Sequence, residues 1–356
     1  MKIPMITTEE NAENAIEKNA PNGWLPRPLG RAASRANASR LMSGIEGNAA
    51  AANGQKVDAI KRRGAGTVQV ILASLLYGVE PSIHAFALKS GLHATQTITV
   101  RVLVALALTM IVCCLKKSRL PTAGRERNEL IIAGILGLGL TGILLSSSYQ
   151  YIPVGMATVV HFLYPSLTCI VSAILMRERM SAFNVIAMVL SIAGLYIIGG
   201  KSIEGDLKGV AFAFFSAISF TLYLIMCGKK AGDADQNGRM LFIWCGSLIA
   251  CVICRLFSRS GGSWSFLTFG IMFICGVLNC TANYLLAAGI SHIGASIAAF
   301  FCLLEPISSV VFSALLYHNR FSISDICGGA LSLSAIVIIS MGQLRQERAS
   351  GHRDRH

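Results

Sequence analysis

From Gly66 to Gly342 the chain alternates apolar runs of about 18 to 25 residues with short polar breaks, and a run of about 20 crosses a bilayer as a helix. The pattern predicts spans at 67–88, 95–115, 130–150, 155–176, 182–199, 208–227, 240–257, 265–289, 294–317 and 323–341. The breaks are too short to hold a folded soluble domain. The expected fold class is therefore an all-α integral membrane protein with ten transmembrane helices.

Composition agrees with the pattern. Hydrophobic residues make up 53% of the 356 and charged residues 14%, against about 25% charged in an ordinary soluble domain. The first 65 residues are polar, rich in Ala, Asn and Ser, and lack the apolar core of a signal peptide, so 1–65 reads as a disordered cytoplasmic tail. Residues 343–356 read as a second cytoplasmic tail. The formal net charge of +13 forms no compact basic patch, which argues against nucleic acid as a partner. Its Lys and Arg gather at one set of span ends, seventeen against six, placing both termini in the cytoplasm of a multi-pass protein of the cell membrane. The eleven cysteines lie almost entirely inside apolar runs and read as small hydrophobes. Cys251 and Cys254 form a C-x-x-C that no second pair or nearby His completes, so no metal or other cofactor is expected.

An internal repeat runs at a period of about 141 residues. The segment from Ala157 through His161 and Tyr164 to Pro165 aligns with the one from Ala298 through Cys302 and Glu305 to Pro306. The register then holds from Arg177–Ser181 to His318–Ser322. Each copy, 67–200 and 207–342, contains five spans. Five is odd, so the second copy lies upside down relative to the first, an inverted repeat of the kind that builds secondary transporters around a midplane site.

The chain resembles the drug/metabolite transporter superfamily, specifically its ten-span exporters of the EamA type. Tyr77-Gly78 followed by Arg101 is similar to that family's first-span W-G and second-span Arg. Glu178-Arg179-Met180-Ser181 is similar to its G-E-R-x-S, and Leu304-Glu305-Pro306 to its L-E-P. Tyr77 stands in place of the usual Trp, Arg177 in place of Gly, and Asn319 in place of the Glu of the second copy. The resemblance covers residues 67–342. It implies a central cavity surrounded by spans one, three, four, six, eight and nine.

Charge at membrane depth costs at least about 2.5 to 3.5 kcal/mol, so it needs a partner, a wet cavity or a proton. Glu80 and Glu305 are the two such carboxylates. They precede Pro81 and Pro306, where a missing backbone donor is expected to kink the helix into a gate, with Pro165 as the counterpart in span four. Helical spacing adds polar stripes: Tyr77, Glu80 and His84 in span one; His161 and Tyr164 in span four; Tyr223 in span six; Asn279 and Asn283 in span eight; Phe301 and Glu305 in span nine. Arg101 is placed to snorkel or to neutralise Glu80, Asp325 to complement a helix dipole, and Ser181 and Ser322 to cap helices. The small residues Gly134, Gly137, Gly139, Gly142 and Ser146 permit close packing or a helix break in span three.

These residues point to a secondary transporter that moves a small organic metabolite, such as an amino acid, a nucleoside-like compound or a drug, by alternating access, with efflux favoured over uptake. Protons could couple through Glu305 or Glu80, because burial disfavours the charged form of a carboxylate. Membrane lipid and a small-molecule substrate are the expected partners, and the chain is expected to be a monomer or a weak homodimer. No phosphate loop, H-E-x-x-H or G-x-S-x-G is present, which argues against an ATP-driven pump or a hydrolase. Two alternatives stand beside this reading: an intramembrane enzyme using His84, His161 and Glu305, and a receptor or scaffold that works through its tail.

Overall fold

The computed structural model describes residues 60–80, 83–84, 87, 90–152, 154–176, 181–199, 206–229, 232–257, 265–317 and 323–353. The chain divides into two units, Met1–Lys61 and Arg62–His356. The expected tail over 1–59, Pro81, Glu178, Arg320 and Ser322 lie outside the described residues, and nothing is described of the Asp325 side chain.

The larger unit is helical, with no strand among the described residues. Helix α1 runs through 62–80 and α2 is Ala94–Lys116. Helix α3 is Gly124–Ser148, and the fourth span is two helices, α4 (Val154–His161) and α5 (Tyr164–Met176). After α6 (Ala182–Gly199) come α7 (Leu207–Gly228), α8 (Gln236–Phe257) and α9 (Phe266–Ile293). The ninth span is again two helices, α10 (Ala295–Phe301) and α11 (Leu304–Tyr317), followed by α12 (Ile323–Arg353). Six spans are long and apolar enough to cross a membrane, α2, α3, α4–α5, α7, α8 and α9, and apolar stretches of α6, α10–α11 and α12 are shorter. With α1 they make ten.

Spans four and nine correct the expectation of proline kinks. Both break just before the proline, at Phe162-Leu163 and at Cys302-Leu303, so Pro165 and Pro306 sit in the first turns of new helices, where a missing N–H costs nothing. The carbonyl that Pro306 would leave free, that of Cys302, accepts from the Glu305 N–H at 2.9 Å. The two breaks fall at equivalent places in the 141-residue repeat. Helix α12 also outruns its expected end at 341, because most of the added residues, among them Gln, Leu, Arg, Glu and Ala, favour a helix. Ser181 does cap α6, its Oγ accepting from the Phe183 N–H at 3.3 Å.

The glycines of α3 permit close packing, and in place of a helix break the helix stays continuous with a π-wound stretch. The middle of the helix, Ala133–Gly139, is wound as π-helix, which leaves carbonyls needing donors in a water-poor setting. Ser219 on α7 donates to the carbonyls of Leu136 and Gly137 at 2.5 and 2.9 Å, and Ser247 on α8 to that of Gly134 at 3.2 Å. Small size lets those helices in: a methyl on Gly134 would sit 2.9 Å from the Gly246 Cα and inside the Ile243 carbonyl oxygen. Because these neighbours are backbone, Gly134→Ala is expected to destabilise the protein by about 1 to 3 kcal/mol, the usual cost of overpacking, seen as a lower unfolding temperature in detergent. An unchanged unfolding temperature would show that α8 can move aside.

Candidate functional site

A cavity of about 110 Å³ opens between the two repeats. That is several times the roughly 10 to 15 Å³ one water requires. It is lined from α1 by Tyr77 and Glu80, with His84 just beyond, and from α2 by Ile98 and Arg101. The far half of α3 contributes Thr141, Ser146 and Tyr149, and α4 contributes Thr158 and His161. Phe220, Trp244, Asn279, Asn283 and Glu305 complete it from the second repeat.

Its polar groups fall into a bonded network and a set left open. Glu80 forms a salt bridge with Arg101 and accepts from Asn279 Nδ2 at 2.8 Å. Arg101 Nη1 donates to His84 Nδ1 at 3.0 Å, and since a guanidinium only donates, the His84 proton sits on Nε2, which reaches Thr97 Oγ1 at 3.3 Å. The Thr97 hydroxyl passes its own proton to the Ala94 carbonyl at 2.8 Å. Asn283 Nδ2 donates to the Asn279 carbonyl at 2.9 Å. Across the cavity, His161 Nδ1 lies 2.8 Å from Ser216 Oγ. With His84 tied to Arg101 and His161 to Ser216, neither histidine is aligned with Glu305 as an acid–base pair.

Glu305 stands apart from this network. It lies in the first turn of α11, where the positive end of the helix dipole favours an acid. Its backbone is engaged, N–H to the Cys302 carbonyl and carbonyl to Ser308 Oγ at 2.8 Å. Its carboxylate has no cation and no hydrogen-bond donor among the described residues. Glu305 is half-buried, and Tyr77 OH, Arg101 Nε, Thr141 Oγ1, Trp244 Nε1 and Asn283 Oδ1, all on cavity-lining side chains, are buried with no partner among the described residues. A polar atom shut away from water normally finds a partner, and none is found among the described residues for the Tyr164 and Tyr223 hydroxyls below the cavity either.

Of the residues expected from sequence, Tyr77, Glu80, His84, His161, Asn279, Asn283 and Glu305 come together around the cavity. Tyr164, Tyr223 and Phe301 do not line it. Tyr164 and Tyr223 are fully buried beneath it, where Tyr164 meets Phe220 edge-on at 4.7 Å and Tyr223 stacks on Phe220 at 5.7 Å. The carbonyl of Phe301 accepts from Ser74 Oγ at 3.3 Å. Trp244, Thr141, Tyr149 and Thr158 were missed by sequence reasoning, and Ser146 was singled out only for its small size. A tryptophan eight residues inside a span, away from the interfacial belt such residues favour, was the one usable signal.

The family model for the EamA-like transporter family matches residues 64–200 and again 207–341. The chain belongs to the EamA-like transporter family. It is similar to the uncharacterized transporter YvbV of Bacillus subtilis, 24% identical over 62% of this chain and 74% of that protein. It is also similar to the uncharacterized inner membrane transporter YicL of Salmonella typhimurium, 21% identical over 80% of this chain and 98% of that one. A solved crystal structure shares the fold with a TM-score of 0.65 at 16% identity, covering 80% of this chain and 99% of the other. This EamA-like protein is thus a multi-pass membrane transporter with ten spans in two inverted repeats of five.

Proposed function

We propose that this transporter is a secondary exporter of a small organic metabolite, working by alternating access, with Glu305 as the group that binds a proton or a cationic part of the substrate in turn. The observation that carries the reading is the Glu305 carboxylate. It faces the inter-repeat cavity at the start of a half-helix and has no partner among the described residues, whereas Glu80 is neutralised by Arg101. An acid already paired gains little from a second cation. An unpaired one in a low-dielectric site exchanges partners with a large change in energy. The open donors of Tyr77, Thr141 and Trp244 complement acceptor groups on a solute. The excess of Lys and Arg at one set of span ends supports a cytoplasmic location for both termini.

The test is a metabolite accumulation and efflux screen in cells with and without the protein, followed by reconstitution with the compound it identifies. A compound that accumulates inside cells lacking the protein, and leaves liposomes containing it in response to a proton gradient, is the expected result. Transport indifferent to that gradient would remove the coupling role, and accumulation inside cells expressing the protein would reverse the direction.

A further inference from the structure

The cavity occupies only one end of the bundle. On α2 its residues Ile98, Arg101 and Val102 lie within eight residues of the helix start, about 12 Å of rise, and on α3 they begin at Leu138, in the half away from Gly124. Its floor is Phe220 and Trp244, each eight residues from the opposite end of its helix. Beneath the floor the packing is close: Phe162, Tyr164, Tyr223, Leu224 and Met240 are all fully buried.

Beyond this plug, two segments from opposite repeats are bonded together. Asp235, just before α8, accepts from the Arg119 N–H at 3.0 Å, and its own N–H donates to the Arg119 carbonyl at 3.1 Å. The same carboxylate accepts from the Gly238 N–H at 2.8 Å. Burial acts to raise its pKa, and the backbone donors of Gly238 and Arg119 outweigh that and hold the carboxyl below its usual range. Thr122 Oγ1 donates to Asp233 at 2.5 Å, Asn237 Nδ2 to Ser118 Oγ at 2.8 Å, and the Gly232 N–H to Glu126 at 3.1 Å. Lys229 Nζ completes the set at 3.3 Å from Glu129. The seam is close enough that a methyl on Gly238 would run into the Arg119 carbonyl. At the pseudo-equivalent place in the first repeat, one period back, the residues before α2 are His93 and Ala94 at its start, so no acid corresponds to Asp235. Asp235 also caps α8, its carboxylate taking the Gly238 N–H and its carbonyl the Arg239 N–H at 3.0 Å. It belongs to one end of the molecule only.

We infer that segment 118–129 on one side, and Lys229 with segment 232–238 on the other, form a latch, with Asp235 as its centre, that seals the end opposite the cavity and parts when the transporter opens that way. The inference rests on the alternating-access reading above, and its test needs no substrate. Cys227 is buried directly behind the latch, beside Glu126, Glu129 and Arg239. Leu145 lines the cavity at the other end. The protein carrying Leu145→Cys, in liposomes, is treated with N-ethylmaleimide, and labelling at each cysteine is read by peptide mass spectrometry.

Adding Asp235→Asn is expected to change the ratio of labelling at Cys227 to labelling at position 145 about tenfold, the effect of losing one charge-assisted bond on a two-state equilibrium, with Cys227 rising and position 145 falling. Thr122→Val, which touches no helix cap, gives a smaller shift of the same sign and serves if the first variant folds poorly. A rise at Cys227 with no fall at position 145 means local fraying and overturns the latch. So does no change at either position while labelling, taken relative to the unfolded protein at the same pH because maleimide reacts with the thiolate, still shifts in opposite directions between pH 5.5 and pH 8. If the two positions never move in opposite directions under any of these conditions, the alternating-access reading falls with it.

Discussion

Glu305→Gln is expected to cut gradient-driven transport of the compound identified by the screen about a hundredfold and to abolish its dependence on pH. Gln keeps the size and the hydrogen-bonding capacity of the side chain and removes only its charge and its proton. The backbone contacts that place it, N–H to the Cys302 carbonyl and carbonyl to Ser308 Oγ, are untouched. The variant should therefore fold with an unchanged unfolding temperature. A hundredfold corresponds to about 2.7 kcal/mol, within the range for losing a charged partner in a shielded site. Glu305→Asp retains the charge one methylene shorter and should keep pH-dependent transport at a reduced rate. Proteoliposomes with an imposed pH gradient supply the measurement. Full, pH-dependent transport by Glu305→Gln would refute the assignment, and loss of transport in Glu80→Gln alone would move the role to α1.

The placement of Glu305 also shows where sequence was informative. A carboxylate in the middle of an apolar run is conspicuous because membrane burial makes it costly, and the repeat that pairs Pro165 with Pro306 is written plainly in residue order. The helix breaks were not, because Cys302 and Leu303 are as apolar as their neighbours, and a proline inside a span reads equally as a kink or as the first turn of a new helix. Helical spacing assigns a face but no depth. Tyr77 and Tyr223 both belong to plausible stripes, yet one lines the cavity and the other lies under its floor. Trp244 and Thr141 were hidden for the converse reason. Thr141 is unremarkable in its own span and Trp244 is marked only by its depth, and each gains a role when tertiary packing leaves its polar atom at the cavity wall without a partner among the described residues.

Arg101→Met should be the most destabilising of the single substitutions in the site, and Glu80→Gln should rescue much of the loss. Arg101 and Glu80 are both nearly buried, their side chains 12% and 9% exposed. Removing the guanidinium strands a carboxylate in a low-dielectric setting, at a cost of about 3 to 5 kcal/mol. It also leaves His84 Nδ1 without its donor, a further loss of about 1 to 3 kcal/mol. Glu80→Gln in the same chain removes the stranded charge and still offers Asn279 an oxygen acceptor. The double variant should thus retain only the smaller, histidine part of the penalty. Thermal unfolding of the wild type, both single variants and the double variant in one detergent closes the cycle and isolates the coupling between the two residues. A double variant as unstable as Arg101→Met would show that the arginine is kept for His84 and for packing. Rescue would mean that Arg101 neutralises Glu80 and so leaves Glu305 as the acid free to exchange its partner.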